Sequence, residues 1–167
     1  MLAAQLTDSL AERLQAVASR LRALEDREQI REVIARYGPM ADAGDAAGVA
    51  GLWIENGTYS VGGVAEARGR AAIAQLIDGE MHQTLLEKGC AHLLGPVAIE
   101  LDGDSAIARG HSIVFCRDEQ GYAVWRVSAN RWEMIRTPDG WRASKRFNAP
   151  LDGGDAARAL LGFPDKA

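Results

Sequence analysis

Apolar residues recur at steps of three and four over the N-terminal part of the chain, and this spacing predicts helices. One stripe over residues 6–24 consists of Leu6, Leu10, Leu14, Val17, Leu21 and Leu24. A second stripe consists of Ile30, Val33, Ile34 and Tyr37, and Asp26 is its predicted N-cap. Gly38-Pro39 is expected to bend or interrupt the second helix, because a proline ring clashes with the carbonyl four residues before it.

The middle of the chain predicts three shorter elements. Asp45 is a plausible N-cap for a short helix that reaches Trp53. Alternation with period two over residues 58–61 predicts a short strand, and residues 70–86 return to helical spacing.

Strands and turns follow from Cys90 onward. The pattern predicts four strands, at about residues 91–101, 105–117, 122–136 and 141–148. The Gly- and Ala-rich segment after Pro150 is expected to drape over the domain or to fray. Helices first and an antiparallel meander later are typical of an α+β fold.

Composition narrows the class of protein. The 167 residues fit one domain, and 47% hydrophobic with 25% charged residues is ordinary for a soluble globular protein. A net charge of −4 argues against nucleic acid as a partner, since nucleic-acid binding depends on cationic contacts to phosphate. No signal-peptide layout and no membrane-length apolar run occur, and two cysteines form no disulfide framework. These features predict a cytoplasmic protein with a small partner molecule and no membrane contact.

Five short motifs, in the same order, resemble those of the SnoaL-like family, which is also called nuclear-transport-factor-two-like. They are Leu24 to Tyr37 with Ala41-Asp42-Ala43-Gly44-Asp45, Gly69-Arg70 with Ile73, Ala91-His92, Asp102-Gly103-Asp104-Ser105-Ala106, and Asp139-Gly140-Trp141-Arg142 with Arg146. The resemblance covers about residues 24–148. It implies a cone-shaped, cystatin-like α+β barrel, in which a strongly bent, mixed, mostly antiparallel sheet and three to four helices enclose one pocket.

The same resemblance divides the chain into three parts. Residues 1–23 are expected to be an N-terminal helical extension, residues 24–150 the SnoaL-like domain, and residues 151–167 a C-terminal tail. The family includes dehydratases, isomerases, cyclases and epoxide hydrolases, so the fold alone does not fix the chemistry.

Asp42 and His92 are the leading candidates for that chemistry. A histidine in an apolar strand is more often a hydrogen-bonded core residue, and Asp42 is also a plausible helix cap. An aspartate beside a histidine would instead orient the ring and give a general base near neutral pH. The resemblance favours this second interpretation. In scytalone dehydratase and bile-acid 7-alpha-dehydratase an Asp on this helix pairs with a His on this strand, and the bile-acid enzyme has a Tyr at the place of Tyr37.

The remaining histidines are interpreted differently from each other. His82 lies in a helical stretch and is predicted to be a surface residue. His111 alternates with residues of one strand face, and it resembles the second strand histidine of scytalone dehydratase, so it is the fourth catalytic candidate after Tyr37, Asp42 and His92. The predicted substrate-binding residues are Trp53, Phe115, Ser128, Asn130 and Trp132. Ser128 and Asn130 could alternatively face water.

Some positions differ from those of the dehydratases, and the roles of two arginines are left open by the sequence. Ala41 stands where scytalone dehydratase has a tyrosine, and no acid lies between Arg109 and Phe115, where the bile-acid enzyme has its second aspartate. Arg126 and Arg146 could bind a carboxylate, or they could form structural ion pairs. The histidines lack the close spacing of common zinc sites, so neither a metal nor a cofactor is predicted.

The function predicted from these residues is that of a cofactor-independent lyase or isomerase, similar to a dehydratase. It would act on a small hydrophobic carbonyl or hydroxylated ring compound. The alternative is a non-catalytic binding protein, or a structural subunit like the β subunit of ring-hydroxylating dioxygenases. Two uncharged strand faces predict a homo-oligomer, with a trimer favoured over a dimer. One carries Trp125, and the other carries the small residues Ala108, Gly110, Ser112, Val114 and Cys116. The alternative is that the N-terminal helix of residues 6–24 covers this surface.

Overall fold

The computed structural model describes residues 2–62 and 65–162, with side chains from residue 9 onward. The side chain of Leu6, which belongs to the predicted N-terminal stripe, lies outside this described part. So do residues 163–167 of the predicted tail.

Five helices occur in the described residues. They are α1 (Leu2–Asp42), α2 (Ala46–Gly51), α3 (Arg70–Asp78), α4 (Glu80–Lys88) and α5 (Asp155–Leu161). The count exceeds the expected three to four, because Gly79 in an extended conformation divides the predicted helix 70–86 and the tail forms α5. No helix in the described part is long and apolar enough to cross a membrane.

The two helices predicted before residue 42 are one continuous helix. Asp26 lies inside α1 and does not cap it, because its carboxylate accepts hydrogen bonds from Arg136 (2.7 Å) and from the Trp141 indole (3.1 Å). Pro39 is also inside α1, so the expected interruption there is wrong. The proline lies in the final turn and removes only the helical hydrogen bond to the carbonyl of Ala35, and the helix continues to Asp42.

Six strands form one mixed sheet. They are β1 (Trp53–Val61), β2 (Ala65–Arg68), β3 (Cys90–Asp102), β4 (Ser105–Asp118), β5 (Gly121–Thr137) and β6 (Gly140–Pro150). Their order is β2-β1-β6-β5-β4-β3, and only the β1–β6 pair is parallel. The sheet is not closed, because β2 and β3 are its two edges in the described residues. The α+β, cystatin-like architecture is confirmed in this open form.

The register of β4 against β5 decides which side chains face inward. Ser112 lies opposite Ser128, and Gly110 lies opposite Asn130, so these four residues share the inner face. His111 lies opposite Ala129 on the outer face, where α5 covers Ala129 and Ala149.

The main core lies between α1, α2, α3 and the inner face of the sheet. Trp53, Trp132 and Trp141 are its largest fully buried side chains. The sequence pattern placed Trp53 at the end of the preceding helix, and this is wrong, because Trp53 is the first residue of β1. Helix α1 approaches β3 closely at Gly38, where a β-carbon would lie 2.1 Å from the backbone oxygen of His92. This close approach brings Asp42, one turn later, beside His92.

Candidate functional site

A cavity of about 130 Å³ lies between the helices and the inner face of the sheet. It is called the site cavity below. Its walls come from α1, α3, α4 and five strands, and its lining side chains are Tyr37, Tyr59, Val61, Leu76, Ile77, Met81, His82, Leu85, His92, Leu94, Ser112, Ile113, Val114, Trp125, Arg126, Ser128, Arg146 and Asn148. Met81 and Trp125 are 71% and 49% exposed, so they mark the mouth of the cavity.

The Asp42 carboxylate holds His92 at two points. Its Oδ1 lies 2.6 Å from Nδ1 of the His92 ring, and its Oδ2 accepts the backbone N–H of His92 at 2.8 Å. Because a carboxylate oxygen accepts, the neutral ring carries its proton on Nδ1. The lone pair is then on Nε2, and His92 is part of the cavity wall.

The electrostatic surroundings keep His92 neutral at neutral pH. Burial lowers the pKa of His92 below its ordinary value of 6.5, and Asp42 opposes that shift only in part. The charges of His82 and Arg146 lower the pKa of His92 further. A neutral, oriented imidazole can accept a proton without first losing one.

His82 lies beside this pair, and its predicted surface position is wrong. Its side chain is buried, and its Nε2–H donates to the carbonyl oxygen of Ala41 at 2.9 Å. The ring centroids of His82 and His92 are 5.3 Å apart. The site cavity is therefore lined by two imidazoles, one from α4 and one from β3.

Arg146 also lines the cavity and is 2% exposed. Its Nε and Nη2 donate to Oδ1 of Asn130 at 3.1 and 2.8 Å, whereas its Nη1 is buried without a hydrogen-bond partner. The guanidinium carbon lies 4.1 Å from the ring centroid of Tyr37 and 4.3 Å from that of Trp132. These are cation–π distances.

Asn130 fixes the orientation of Arg146. Its amide nitrogen donates to the hydroxyl of Ser112 at 2.8 Å, while its oxygen also accepts from Asn148 at 3.1 Å. Asn130 is buried behind the lining and does not face water, so its role here is to position the arginine. Ser128 is equally buried, lines the cavity and accepts a hydrogen bond from Arg126 at 3.0 Å.

Tyr37 packs against the rings of Trp53, Tyr59 and Trp132 at centroid distances of 6.1–6.2 Å. Burial raises the pKa of Tyr37 well above its usual range, and the neighbouring Tyr59 acts in the same direction. Its hydroxyl therefore stays protonated at all physiological pH values and can donate a hydrogen bond into the cavity.

The structure thus brings together only part of the predicted site. Tyr37, His92 and Ser128 line the cavity, with Asp42 directly behind His92. Trp53, Trp132 and Asn130 lie in the core behind the lining, and Phe115 is half-buried and does not line it. His111 is exposed on the outer face of β4, so its predicted place in the pocket is wrong. The reason is the register, which places Ser112 and not His111 beside Ser128.

Several lining residues were missed or left open by the sequence. Tyr59 and Ser112 carried no motif, and both faces of β4 are too rich in small apolar residues for alternation to choose the inner one. His82 could have been found from its helical spacing of three residues to Leu85, since both line the cavity. Arg126 and Arg146 were considered, but an ion pair was the competing interpretation.

Asp42, Cys90 and His92 could in principle hold a metal ion, because one ligand atom of each lies within 4.8 Å of the others. Two features disfavour this. The Nδ1 atom of His92 that would bind a metal already bonds Asp42 at 2.6 Å. Burial, reinforced by the Asp42 charge, raises the pKa of Cys90 to about 11, so its sulfur stays a thiol at neutral pH, whereas metals bind the thiolate.

The model of the SnoaL-like domain matches residues 22–147. A crystal structure of an NTF2-like protein with a cystatin-like fold from Novosphingobium aromaticivorans is 59% identical, with a TM-score of 0.88. That match covers 90% of this chain and 97% of the other.

More distant structures share the fold. A Mycobacterium tuberculosis protein of unknown function is 23% identical with a TM-score of 0.70, over 90% of this chain and 97% of that one. A protein from Catenulispora acidiphila in complex with S-DNPA is 21% identical with a TM-score of 0.66, and the match covers 77% of this chain and 94% of that one. The comparison with curated proteins gave no match. A particular similarity to scytalone dehydratase stays a prediction.

Proposed function

The chain belongs to the SnoaL-like domain family, which includes polyketide cyclases, isomerases and hydroxylase subunits, and on that premise we propose that it is a cofactor-independent lyase or isomerase. Its substrate is a small hydrophobic carbonyl or hydroxylated ring compound. The observation that carries the proposal is the 2.6 Å contact between Asp42 and His92, with the His92 ring lining an apolar cavity.

The proposed reaction begins with proton abstraction. Nε2 of His92 takes a proton from a carbon next to a carbonyl, and the C–H electron pair moves into an enolate. Asp42 stabilises the imidazolium that forms, and the hydroxyl of Tyr37 donates a hydrogen bond to the enolate oxygen.

The protonated His92 then returns its proton. Delivered to a hydroxyl on the β carbon, the proton leaves with that group as water and an unsaturated carbonyl compound remains, which is elimination. Delivered to another carbon of the enolate system, it gives an isomer of the substrate. Both outcomes regenerate neutral His92 and balance without an oxidant or a reductant.

The size of the cavity limits the part of the substrate that is enclosed. A volume of about 130 Å³ is below the usual range of drug-sized pockets, and it is close to that of an engineered cavity known to hold one benzene molecule. One ring fits inside, and a larger substrate would project through the mouth between Met81 and Trp125.

Hydrogen–deuterium exchange tests the proposal without knowledge of the natural substrate. Acetophenone, cyclohexanone and 2-tetralone are incubated with the protein in D₂O, and exchange at the α carbon is followed by NMR. We expect exchange above the buffer rate, and a loss on the order of 10²–10⁴-fold in His92→Ala. His111→Ala is the matched control, since it removes the same side chain from the outer face.

The result that contradicts the proposal is equal exchange in the wild type and in His92→Ala. In that case the non-catalytic alternatives remain, either a binding protein or a subunit like the dioxygenase β subunit. Co-purification with an iron-containing partner chain would distinguish the subunit from the binding protein.

Two further features are proposed on the same basis. Residues 24–150 would carry the complete site, with residues 1–23 as an extension and residues 151–167 as a tail. The protein would also assemble as a homo-oligomer, through exposed apolar side chains.

A further inference from the structure

Arg146 is a buried cation without an acidic partner. Two other buried or half-buried arginines do pair with acids, Arg109 with Glu100 and Arg131 with Glu133. Arg146 is 2% exposed and forms no ion pair with any residue that the structure describes. The positive charge of Arg146 is stabilised instead by a neutral amide oxygen and by aromatic ring faces. A buried guanidinium normally requires a negative partner.

One corner of the guanidinium is left unused. Nε and Nη2 are both taken by Asn130, whose own amide is held by Ser112, so the orientation of the fork is fixed. The buried Nη1 has no hydrogen-bond partner, and Arg146 is part of the cavity wall. An unpaired donor of this kind is costly unless a ligand accepts from it.

The charges around the cavity point in the same direction. The lining contains two arginines, Arg126 and Arg146, and neither aspartate nor glutamate. Asp42 lies behind His92 and is engaged with that ring. Arg126 donates to Ser128 and to Asn148, both neutral, and forms no ion pair with a described residue. The cavity therefore carries an uncompensated positive charge next to an apolar wall.

We propose that the ligand of this cavity is a small aromatic or cyclic carboxylate. Its carboxylate lies against the positive charges of Arg146 and Arg126, and its ring packs against the apolar wall that includes Leu76, Ile77 and Leu94. A guanidinium is well suited to this purpose, since it binds carboxylates through parallel hydrogen bonds. The inference rests on the proposed function, because it names the substrate class of the same site.

The test compares charged and neutral molecules of the same shape. Benzoate with benzamide, and phenylacetate with phenylacetamide, are titrated into the full-length protein by calorimetry at about pH 7.5, where the acids are ionised. We expect each carboxylate to bind at least about tenfold more tightly than its amide. Equal affinity within the pairs, or binding of neither member at millimolar concentration, overturns the inference.

Variants locate the effect in the two arginines. Arg146→Met is expected to weaken benzoate binding by about ten- to a hundredfold and to leave benzamide binding nearly unchanged. Arg142→Met, on the same strand and outside the cavity, is the matched control. Should Arg146→Met fail to fold by circular dichroism, Arg126→Met is expected to show a smaller loss in the same direction. Benzoate affinity that is unchanged in the folded variants overturns the inference.

His92→Ala separates this inference from the proposed catalysis. Carboxylate selectivity does not need a base, so the variant should keep the preference for benzoate while it loses α-carbon exchange. A protein that selects benzoate without any exchange would contradict the proposed function alone. A protein that exchanges ketones without carboxylate selectivity would contradict this inference alone.

Discussion

His92 is the residue whose protonation should set the pH dependence of any reaction in the cavity. Burial lowers its pKa below 6.5, so the neutral base predominates from that pH upward. We expect kcat/KM for α-carbon exchange to rise through an acid limb below pH 6.5 and then to level off. In Asp42→Asn the limb should move to still lower pH, because the carboxylate raises the pKa of His92. The plateau should fall on the order of 10²–10⁴-fold, since the ring loses its orientation.

The lowered pKa of His92 also makes stability depend on pH, and the direction of this dependence follows from proton uptake by the folded and unfolded chains. The pKa of His92 is lower in the folded protein than in the unfolded chain, so the unfolded chain binds more protons just below pH 6.5. The contribution of His92 to the free energy of unfolding is complete above pH 6.5 and is lost as the pH falls through the folded value. Urea unfolding at several pH values checks this. In His92→Gln, the part of the pH dependence of the free energy of unfolding that comes from His92 should be absent. An acid limb or a stability slope that is identical in the variants would contradict the assignment.

Cys90 gives a second prediction at this scale. Burial, together with the charge of Asp42, raises the pKa of its thiol to about 11. In a Cys116→Ser background, iodoacetamide should therefore label Cys90 at neutral pH more slowly than it labels a free cysteine. Asp42→Asn should speed the labelling, because it removes a negative charge beside the sulfur. Labelling slowed or unchanged by this substitution would contradict the electrostatic argument.

Individual residues were predictable where a partner could be named in advance. The pairing of Asp42 with His92 followed from the resemblance, and the structure places the two side chains in contact. His82 was missed, because one polar residue in an amphipathic helix is more often exposed than buried. The open choice for Arg146 could not be made from sequence, since it depends on which acids lie nearby in space.

Among the elements, the contact between α1 and β3 is the one that assembles the dyad of Asp42 and His92. A β-carbon on Gly38 would lie 2.1 Å from the His92 oxygen and 3.3 Å from its carbonyl carbon. Gly38→Ala should therefore push the helix from the strand, lower the free energy of unfolding by about 1–3 kcal/mol, and reduce α-carbon exchange. Urea unfolding measures the first effect and NMR the second.

Gly51→Ala is the control for this substitution. Gly51 is the last residue of α2, and its added β-carbon would meet no heavy atom within 4 Å. It should leave stability unchanged or raise it by about 0.4–1 kcal/mol through the unfolded state. Equal unfolding midpoints for Gly38→Ala and the wild type would show that the close approach does not constrain the helix.

The four long strands were predictable to within a few residues, because alternation and glycine turns both mark them. It was harder to predict which face of each strand points toward the core. On β5, Ser128 and Asn130 are polar positions among apolar ones, which favoured a pocket face but left a water-facing one open, and both side chains are buried. On β4 both faces carry small or apolar residues, so only the pairing with β5 settles that Ser112 points inward and His111 outward.

At the scale of the whole molecule, the fold class followed from the order of the elements, while the helix boundaries depended on tertiary contacts. The continuity of α1 is an example. Asp26 is a good cap by type, but Arg136 and Trp141 at the end of the β5–β6 hairpin use its carboxylate instead. A local pattern cannot contain a partner that lies more than a hundred residues away.

The last prediction concerns assembly, and the structure changes where we expect the contact. The predicted interface included the small residues of β4, but Ala108, Ser112 and Val114 are buried on the inner face. Trp125 is half exposed at the cavity mouth. A second exposed apolar surface is the stripe on α1, formed by Leu10, Leu14, Val17, Leu21 and Leu24, each at least 53% exposed.

This stripe advances by alternating steps of four and three, which is the spacing of a coiled-coil seam. Burial against the same stripe of another copy would remove it from water, and it places the contact away from the cavity. Light scattering should give a multiple of 17.9 kDa for the wild type, and Val17→Glu should shift the mass toward the monomer. Gln15→Glu, next to the seam on the polar face, is the matched control. If Trp125→Glu dissociates the assembly and Val17→Glu does not, the contact between copies lies on the sheet. A wild-type protein that is monomeric at micromolar concentration would contradict both the helix contact and the sheet contact.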